Sequence, residues 1–376
     1  MRERRRTSRK MAHPKRDGAL RRAVLTGLGV PVSLLLVTSV VRATGLPLVT
    51  SSPHAGSTPA VALASATHFS PAATSSPTST PTPTPTPTAP PTPTLAPTAA
   101  PTATPALVWS PSGSGHVTVV NFRAPWTGTS RTTAQVSIYT PPGYDPNGDQ
   151  QYPVIYEAPT GLTLWSAGMG VADLDSLIDS GAMPAAIVVF IDEAGVPISP
   201  SECVDSADGE QWFETYVTRT VVGYVDNNYR TIRDPRARAT MGMSEGGFCA
   251  AMLVTRHPDL FSVSMSFSGY YWAGTPAADA LVPFGGKASL IDAYSPALLV
   301  PKMSAAVRAS LFFIVVANWS QGYFGPQATA FDAVLKANGF AYLAVNSPYP
   351  HGWPEVQTEA PGALKAWGAH LKASGV

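Results

Sequence analysis

The stretch Gly242-Met243-Ser244-Glu245-Gly246-Gly247 constrains the chain more than any other. It follows the short apolar approach Ala239-Thr240-Met241 and runs into Phe248-Cys249-Ala250-Ala251-Met252-Leu253-Val254, which reads as a helix. A G-x-S-x-G between a strand and a helix is the setting of a nucleophile elbow, a sharp turn from which the serine projects. The glycines allow a tight turn and a close backbone approach that a Cβ would obstruct. The N–H groups after the serine open a helix, where developing negative charge is favoured. A glycine-rich turn that happens to hold a serine is the plainer reading, and the strand and helix on either side weigh against it.

Such a turn implies a sheet to hold it. Strand-like runs are Val117–Val120, Ala134–Tyr139, Pro153–Ala158, Ala185–Ile191, Phe261–Ser268, Leu311–Ala317 and Ala341–Asn346. Ala185–Ile191 is continuously apolar, as a strand buried on both faces should be. Helical patterns fall between them at Gly170–Ser180, Trp212–Asn228, Phe248–Arg256 and Gln327–Ala337, with Glu359–Ala373 closing the chain. Strands alternating with helices predict an α/β fold, a mostly parallel central sheet with helices on both faces. Residues 106–376 are enough for one large domain of this kind.

What precedes that domain reads differently. Residues 1–22 are rich in Arg and Lys, and 23–41 form an uncharged apolar run. A basic flank before an apolar stretch predicts export, with the basic end kept in the cytoplasm. Arg21-Arg22-Ala23-Val24-Leu25 is similar to a twin-arginine signal. The run is just long enough to span a bilayer, so a cleaved signal and an N-terminal transmembrane anchor both stand. Residues 42–105 are dominated by Pro, Thr, Ser and Ala, including Thr80-Pro81-Thr82-Pro83-Thr84-Pro85. That composition cannot build a core and favours an extended, disordered stalk. The protein is therefore expected outside the cell or in its envelope.

A formal net charge of +1, with 13% charged residues, gives no reason to expect nucleic acid as a partner. The two cysteines, Cys203 and Cys249, have neither CxxC spacing nor a histidine cluster, so no metal is expected. In an exported protein they are expected to form one disulfide, with two buried free thiols as the alternative.

An elbow serine needs a base. Of the seven histidines, His13, His54 and His68 lie before the domain and His116 is on an early strand. His257 falls in a His-Pro-Asp turn that suits capping or packing, and His370 on the last helix is expected to be solvated. His351 remains, in the loop Ser347-Pro348-Tyr349-Pro350-His351-Gly352-Trp353 after a strand. Loops beyond the carboxyl ends of strands hold the sites of open α/β sheets. A third, acidic member is missing from its expected place. The loop after Leu311–Ala317 reads Asn318-Trp319-Ser320-Gln321-Gly322-Tyr323, without a carboxylate. Gln321 or Asn318 is left to orient the imidazole by a neutral hydrogen bond. Loss of the acid from such a triad costs about 10⁴ in rate.

These residues together resemble the α/β-hydrolase branch that holds esterase D, feruloyl esterases and the antigen 85 mycolyltransferases. Val136-Ser137-Ile138-Tyr139-Thr140-Pro141-Pro142-Gly143-Tyr144 is similar to its entry motif, and Pro153-Val154-Ile155-Tyr156 to the strand before its oxyanion loop. Gly242–Gly247, His257-Pro258-Asp259-Leu260-Phe261, Ser268-Gly269-Tyr270 and His351-Gly352-Trp353 complete the likeness. The resemblance implies an α/β-hydrolase fold with Ser244 as nucleophile and His351 as base. It implies oxyanion donors from the N–H of Glu245 and from the turn near Gly161 or Leu162. The family's acid corresponds to Ser320 or Gln321 here. No cofactor is implied. The expected partner is an ester substrate, sugar- or lipid-linked, in a cell envelope. Two functions follow: an exported serine esterase or acyltransferase, or a non-catalytic cell-wall or carbohydrate-binding relative that lacks a complete triad.

Overall fold

The computed structural model describes residues 106–274 and 279–376. The basic segment, the apolar run and the stalk expected over 1–105 lie outside the described residues. Eight strands form one sheet: β1 (His116–Arg123), β2 (Thr133–Thr140), β3 (Val154–Glu157), β4 (Ile187–Ile191), β5 (Arg238–Met243), β6 (Val263–Phe267), β7 (Phe312–Ala317) and β8 (Ala341–Asn346). Their spatial order is β1-β2-β4-β3-β5-β6-β7-β8. β2 pairs antiparallel with both β1 and β4, and every other pair is parallel.

Every residue of β3, β4, β5 and β6 is buried. Successive side chains of a strand point to opposite faces, so both faces of the sheet centre are covered. The edge strands β1 and β8 are the wet ones. The helices are α1 (Gly161–Trp165), α2 (Val171–Asp179), α3 (Phe213–Thr215), α4 (Val222–Asn228), α5 (Glu245–Arg256), α6 (Ala288–Tyr294), α7 (Pro296–Leu299), α8 (Ala305–Ser310), α9 (Phe324–Ala337) and α10 (Trp353–Ser374). A π-helical turn, Tyr216–Val221, joins α3 to α4.

The strand order places the site. From β3 the chain goes outward to β4, then returns past β3 to β5. The connections after β3 and β5 therefore leave the same edge of the sheet side by side, the position where open sheets offer a crevice.

Two sequence expectations need correcting. The last helix starts at Trp353, not Glu359, because Pro354 occupies its first turn, where no N–H is needed. Pro361 sits inside that helix without ending it. The segment between β6 and β7 folds into α6, α7 and α8, which no long periodic pattern announced. His370 is half-buried, not fully solvated: it stacks face to face on Phe312, with ring centroids 4.6 Å apart, and desolvation lowers its pKa.

Candidate active site

Ser244 stands between β5 and α5 at φ 61° and ψ −119°. A serine in that region costs about 1–3 kcal/mol and persists only where the surroundings impose it. The neighbours that impose it lie on both sides. Its N–H donates to the Phe267 carbonyl at the end of β6, 2.9 Å away, and its carbonyl accepts from Phe248 N–H at 3.1 Å. A Cβ on Gly246 would lie 2.3 Å from the Ala158 carbonyl oxygen, and one on Gly247 would lie 2.8 Å from Gly269 Cα. The elbow is thus wedged between the turn after β3 and the turn after β6, and the motif glycines are the residues that fit.

The turn after β3 carries Thr160 into α1, so Gly161 and Leu162 supply first-turn N–H groups without intrahelical partners. Gly161 takes φ +67° and its Cα faces Asp192, leaving 3.1 Å between a Cβ there and Asp192 Cβ. The Pro159 carbonyl accepts from Glu193 N–H at 3.0 Å, and Thr160 Oγ1 donates to Glu157 Oε1 at 2.5 Å. Burial pushes the Glu157 carboxyl up to about 8. Beside this turn lies a cleft of about 210 Å³, lined by Ser137, Thr160, Gly161, Leu162, Leu164 and Asp192.

Glu245 opens α5, and its backbone N–H points out of the helix start next to Ser244. Its side chain has a separate task that the sequence did not reveal. Oε1 accepts from Ser201 Oγ at 3.0 Å and from Glu202 N–H at 2.7 Å. Glu202 and Cys203 both sit at φ 51°. The expected disulfide, Cys203–Cys249, ties this strap to α5. The Tyr270 hydroxyl donates to Glu202 Oε2. Burial, with Asp192 nearby, raises the carboxyl of Glu193; burial and the charges of Glu193 and Glu202 raise that of Glu245; and burial raises Glu202 to about 8. Glu202 therefore holds its proton at neutral pH. Among the described residues no group of His, Cys, Asp and Glu is arranged to hold a metal ion.

His351 comes from the loop after β8, which is stitched to the loop after β7. Ser347 N–H donates to the Ala317 carbonyl at 3.0 Å, and Asn318 Nδ2 donates to the Pro348 carbonyl at 3.3 Å. The ring stacks on Phe324, centroids 4.4 Å apart. Desolvation lowers the imidazole pKa, so the neutral, proton-accepting form prevails at neutral pH. Gln321 is not where an imidazole partner belongs: its Oε1 accepts from the His351 backbone N–H at 2.7 Å. Asn318 Oδ1 accepts from Ser320 N–H. Both residues shape the loop and neither holds the ring.

The mostly parallel sheet, the crossover at β3 and a serine held at positive φ between β5 and α5 define an α/β-hydrolase. The chain belongs to the Esterase family, described as "Putative esterase", which it matches over residues 127–316. That match contains Ser244 and stops short of His351. An uncharacterized protein of Corynebacterium glutamicum is 28% identical over 166 residues, 42% of this chain and 38% of that protein, so the match spans well under half of that relative. A ferulic acid esterase shares the fold at a TM-score of 0.56 and 19% identity, over 68% of this chain and 99% of its own. An S-formylglutathione hydrolase from Agrobacterium tumefaciens does so at 0.54 and 16%, over 69% and 96%.

Proposed function

We propose that this protein is an exported serine esterase or acyltransferase that works through an acyl-enzyme. Ser244 Oγ attacks the ester carbonyl carbon, and its proton passes to His351. The carbonyl oxygen takes the electron pair and is held by Glu245 N–H and a donor at Gly161 or Leu162. Collapse expels the alcohol, which receives the proton from His351. Water or a sugar hydroxyl then takes the acyl group by the reverse steps. The observation that carries this reading is the strained conformation of Ser244 at the start of α5.

The substrate class follows from what surrounds the strand ends. Leu164, Trp272 and Tyr349 are large apolar residues on the segments after β3, β6 and β8, and they are 56%, 45% and 41% exposed. An aromatic and apolar rim suits an acyl group or a sugar face. Trp165, by contrast, is fully buried and packs edge-on to Trp353, so both serve the core. The basic and apolar N-terminal segments support export or membrane anchoring, and the Pro/Thr-rich stretch supports a stalk in the cell envelope.

Labelling of the full chain with a fluorophosphonate tests the reading. The wild type is expected to label at Ser244, and Ser244→Ala and His351→Ala to lose the label. A folded wild type that does not label would return the protein to the non-catalytic, carbohydrate-binding reading.

A further inference from the structure

β3 reads Val154-Ile155-Tyr156-Glu157, three apolar residues and then a carboxyl with no exposed surface. Its neighbours in register are Phe190 of β4 and Met241 of β5. The chemical steps proposed above give this carboxyl no task. Glu157 Oε1 accepts from Thr160 Oγ1 at 2.5 Å, and Oε2 is buried without a hydrogen-bond partner among the described residues. Buried polar atoms are rarely left this way, and such a group calls for an explanation.

Thr160 is the N-cap of α1. A threonine there ordinarily turns its oxygen onto the N–H of the second or third helical residue, which are Leu162 and Thr163 in this helix. Thr160 makes no such bond. It stands at φ −76° and ψ −22° instead of the extended conformation of a capping residue, and its hydroxyl donates to Glu157. The turn is pinned in that shape from both neighbouring strands. Glu193 N–H donates to the Pro159 carbonyl at 3.0 Å, and Ala158 N–H donates to the Met241 carbonyl at 3.2 Å. The Ala158 carbonyl in turn lies against Gly246 of the elbow, so this turn and Ser244 are on touching segments.

Resting on the serine-esterase reading, we propose that Glu157 is a positioning residue of the oxyanion turn: it holds the Thr160 hydroxyl away from the first N–H groups of α1, so that the Leu162 N–H stays uncapped for the substrate's carbonyl oxygen. A helix start that caps itself has satisfied the donor that an oxyanion needs, and Glu157 prevents this by giving the threonine another acceptor. The groups facing Glu157 are Thr160 from the turn and Asp192 from the segment after β4, itself 3.6 Å from Arg131; Phe190 and Met241 beside it carry no charge. Burial pushes Glu157 up to about 8 against the pull of the Thr160 bond, and the charge of Asp192 adds to the rise. At neutral pH the acid therefore accepts the threonine bond without a buried charge. Above about 8 it ionises beside Asp192, a buried charge the turn relieves by opening to water, so kcat should fall there.

The test compares full-length wild type, Glu157→Leu, Glu157→Gln and the double variant Glu157→Leu/Thr160→Val. It reads kcat and KM on p-nitrophenyl acetate across neutral and alkaline pH, labelling rate with a fluorophosphonate, and Tm. Glu157→Leu frees the hydroxyl to cap α1 and is expected to lose about 100-fold in kcat, the size of one oxyanion donor, with KM little changed. Its Tm should hold or rise, since an apolar side chain is easier to bury and the new cap stabilises the helix. Glu157→Gln still offers Thr160 an oxygen, so it should keep most of the activity at neutral pH and lose the alkaline fall. In the double variant no hydroxyl remains to cap the N–H, and most of the lost kcat should return. Unchanged kcat in Glu157→Leu would overturn the proposal. So would a double variant no faster than Glu157→Leu, which would make the Thr160 bond a strut for the turn and nothing more. A wild type that neither labels at Ser244 nor turns over the ester sinks the esterase reading itself, and this inference with it.

Discussion

Glu245 does two jobs with one residue. Its backbone N–H is the proposed oxyanion donor, and its carboxyl anchors the segment at Ser201 and Glu202. The two jobs separate by substitution. Glu245→Ala leaves a buried N–H and a hydroxyl without an acceptor, a loss of about 1–3 kcal/mol in unfolding free energy. Glu245→Gln keeps an oxygen acceptor and should lose far less. Urea melts of the two variants check this; equal stabilities would mean that the side-chain bonds contribute nothing. Glu245 and Glu355 share a reason for having been hard to read. A glutamate in a sequence looks like surface, and only the packing of other segments shows that these are not.

At the scale of elements, the elbow is held by its neighbours. α5 is gripped by the β3 turn at Ala158, by the β6 turn at Gly269, and by the disulfide from the strap. The two cysteines are 46 residues apart, and chain entropy alone assigns such a cross-link about 4 kcal/mol, with about 2–4 kcal/mol the usual yield. A Cys203→Ser/Cys249→Ser variant should therefore unfold at lower urea by a stability difference of that size. Because the strap also carries Glu202 to Glu245, kcat on an acyl ester should fall while KM stays nearly constant. A variant with wild-type stability and kcat would show the bridge to be idle. α10 is the other element that matters. Its first turn reaches over the ends of β6 and β7, and its prolines hide it: Pro354 and Pro361 look like helix breakers, yet the first suits a helix start and the second interrupts one bond only.

Across the whole molecule, the buried carboxyls set a pH dependence of stability. Glu157 and Glu202 rise to about 8 and Glu355 to about 7, from 4.5. Between pH 4.5 and 8 the folded state holds more protons than the unfolded chain, so their contribution is complete below 4.5 and is lost as pH rises to 8. Glu214 runs the other way. Burial opposes its ionisation, but bonds from His257, Arg256 and Tyr294 overcome that and bring it down to about 2, so its contribution is present above 4.5 and lost on acidification. Each tenfold in proton affinity is worth about 1.4 kcal/mol. Tm should peak near pH 5 and fall toward pH 8, while activity rises over the same range because His351 must be neutral. Scanning calorimetry across pH 4–9 reads this directly, and a Tm that climbs from 5 to 8 would contradict it. The sequence by itself determined the sheet, the elbow and the histidine loop, because each is written in a short local pattern: an apolar run, a glycine-flanked serine, a loop after a strand. It also determined that the usual acid position is empty. Only the tertiary structure decided which carboxyls are buried. Glu355 looks like a surface residue in the sequence, and its burial became visible once α10 was packed against β6 and β7. Burial is a property of the assembled fold, and burial is what separates these carboxyls from those on the surface.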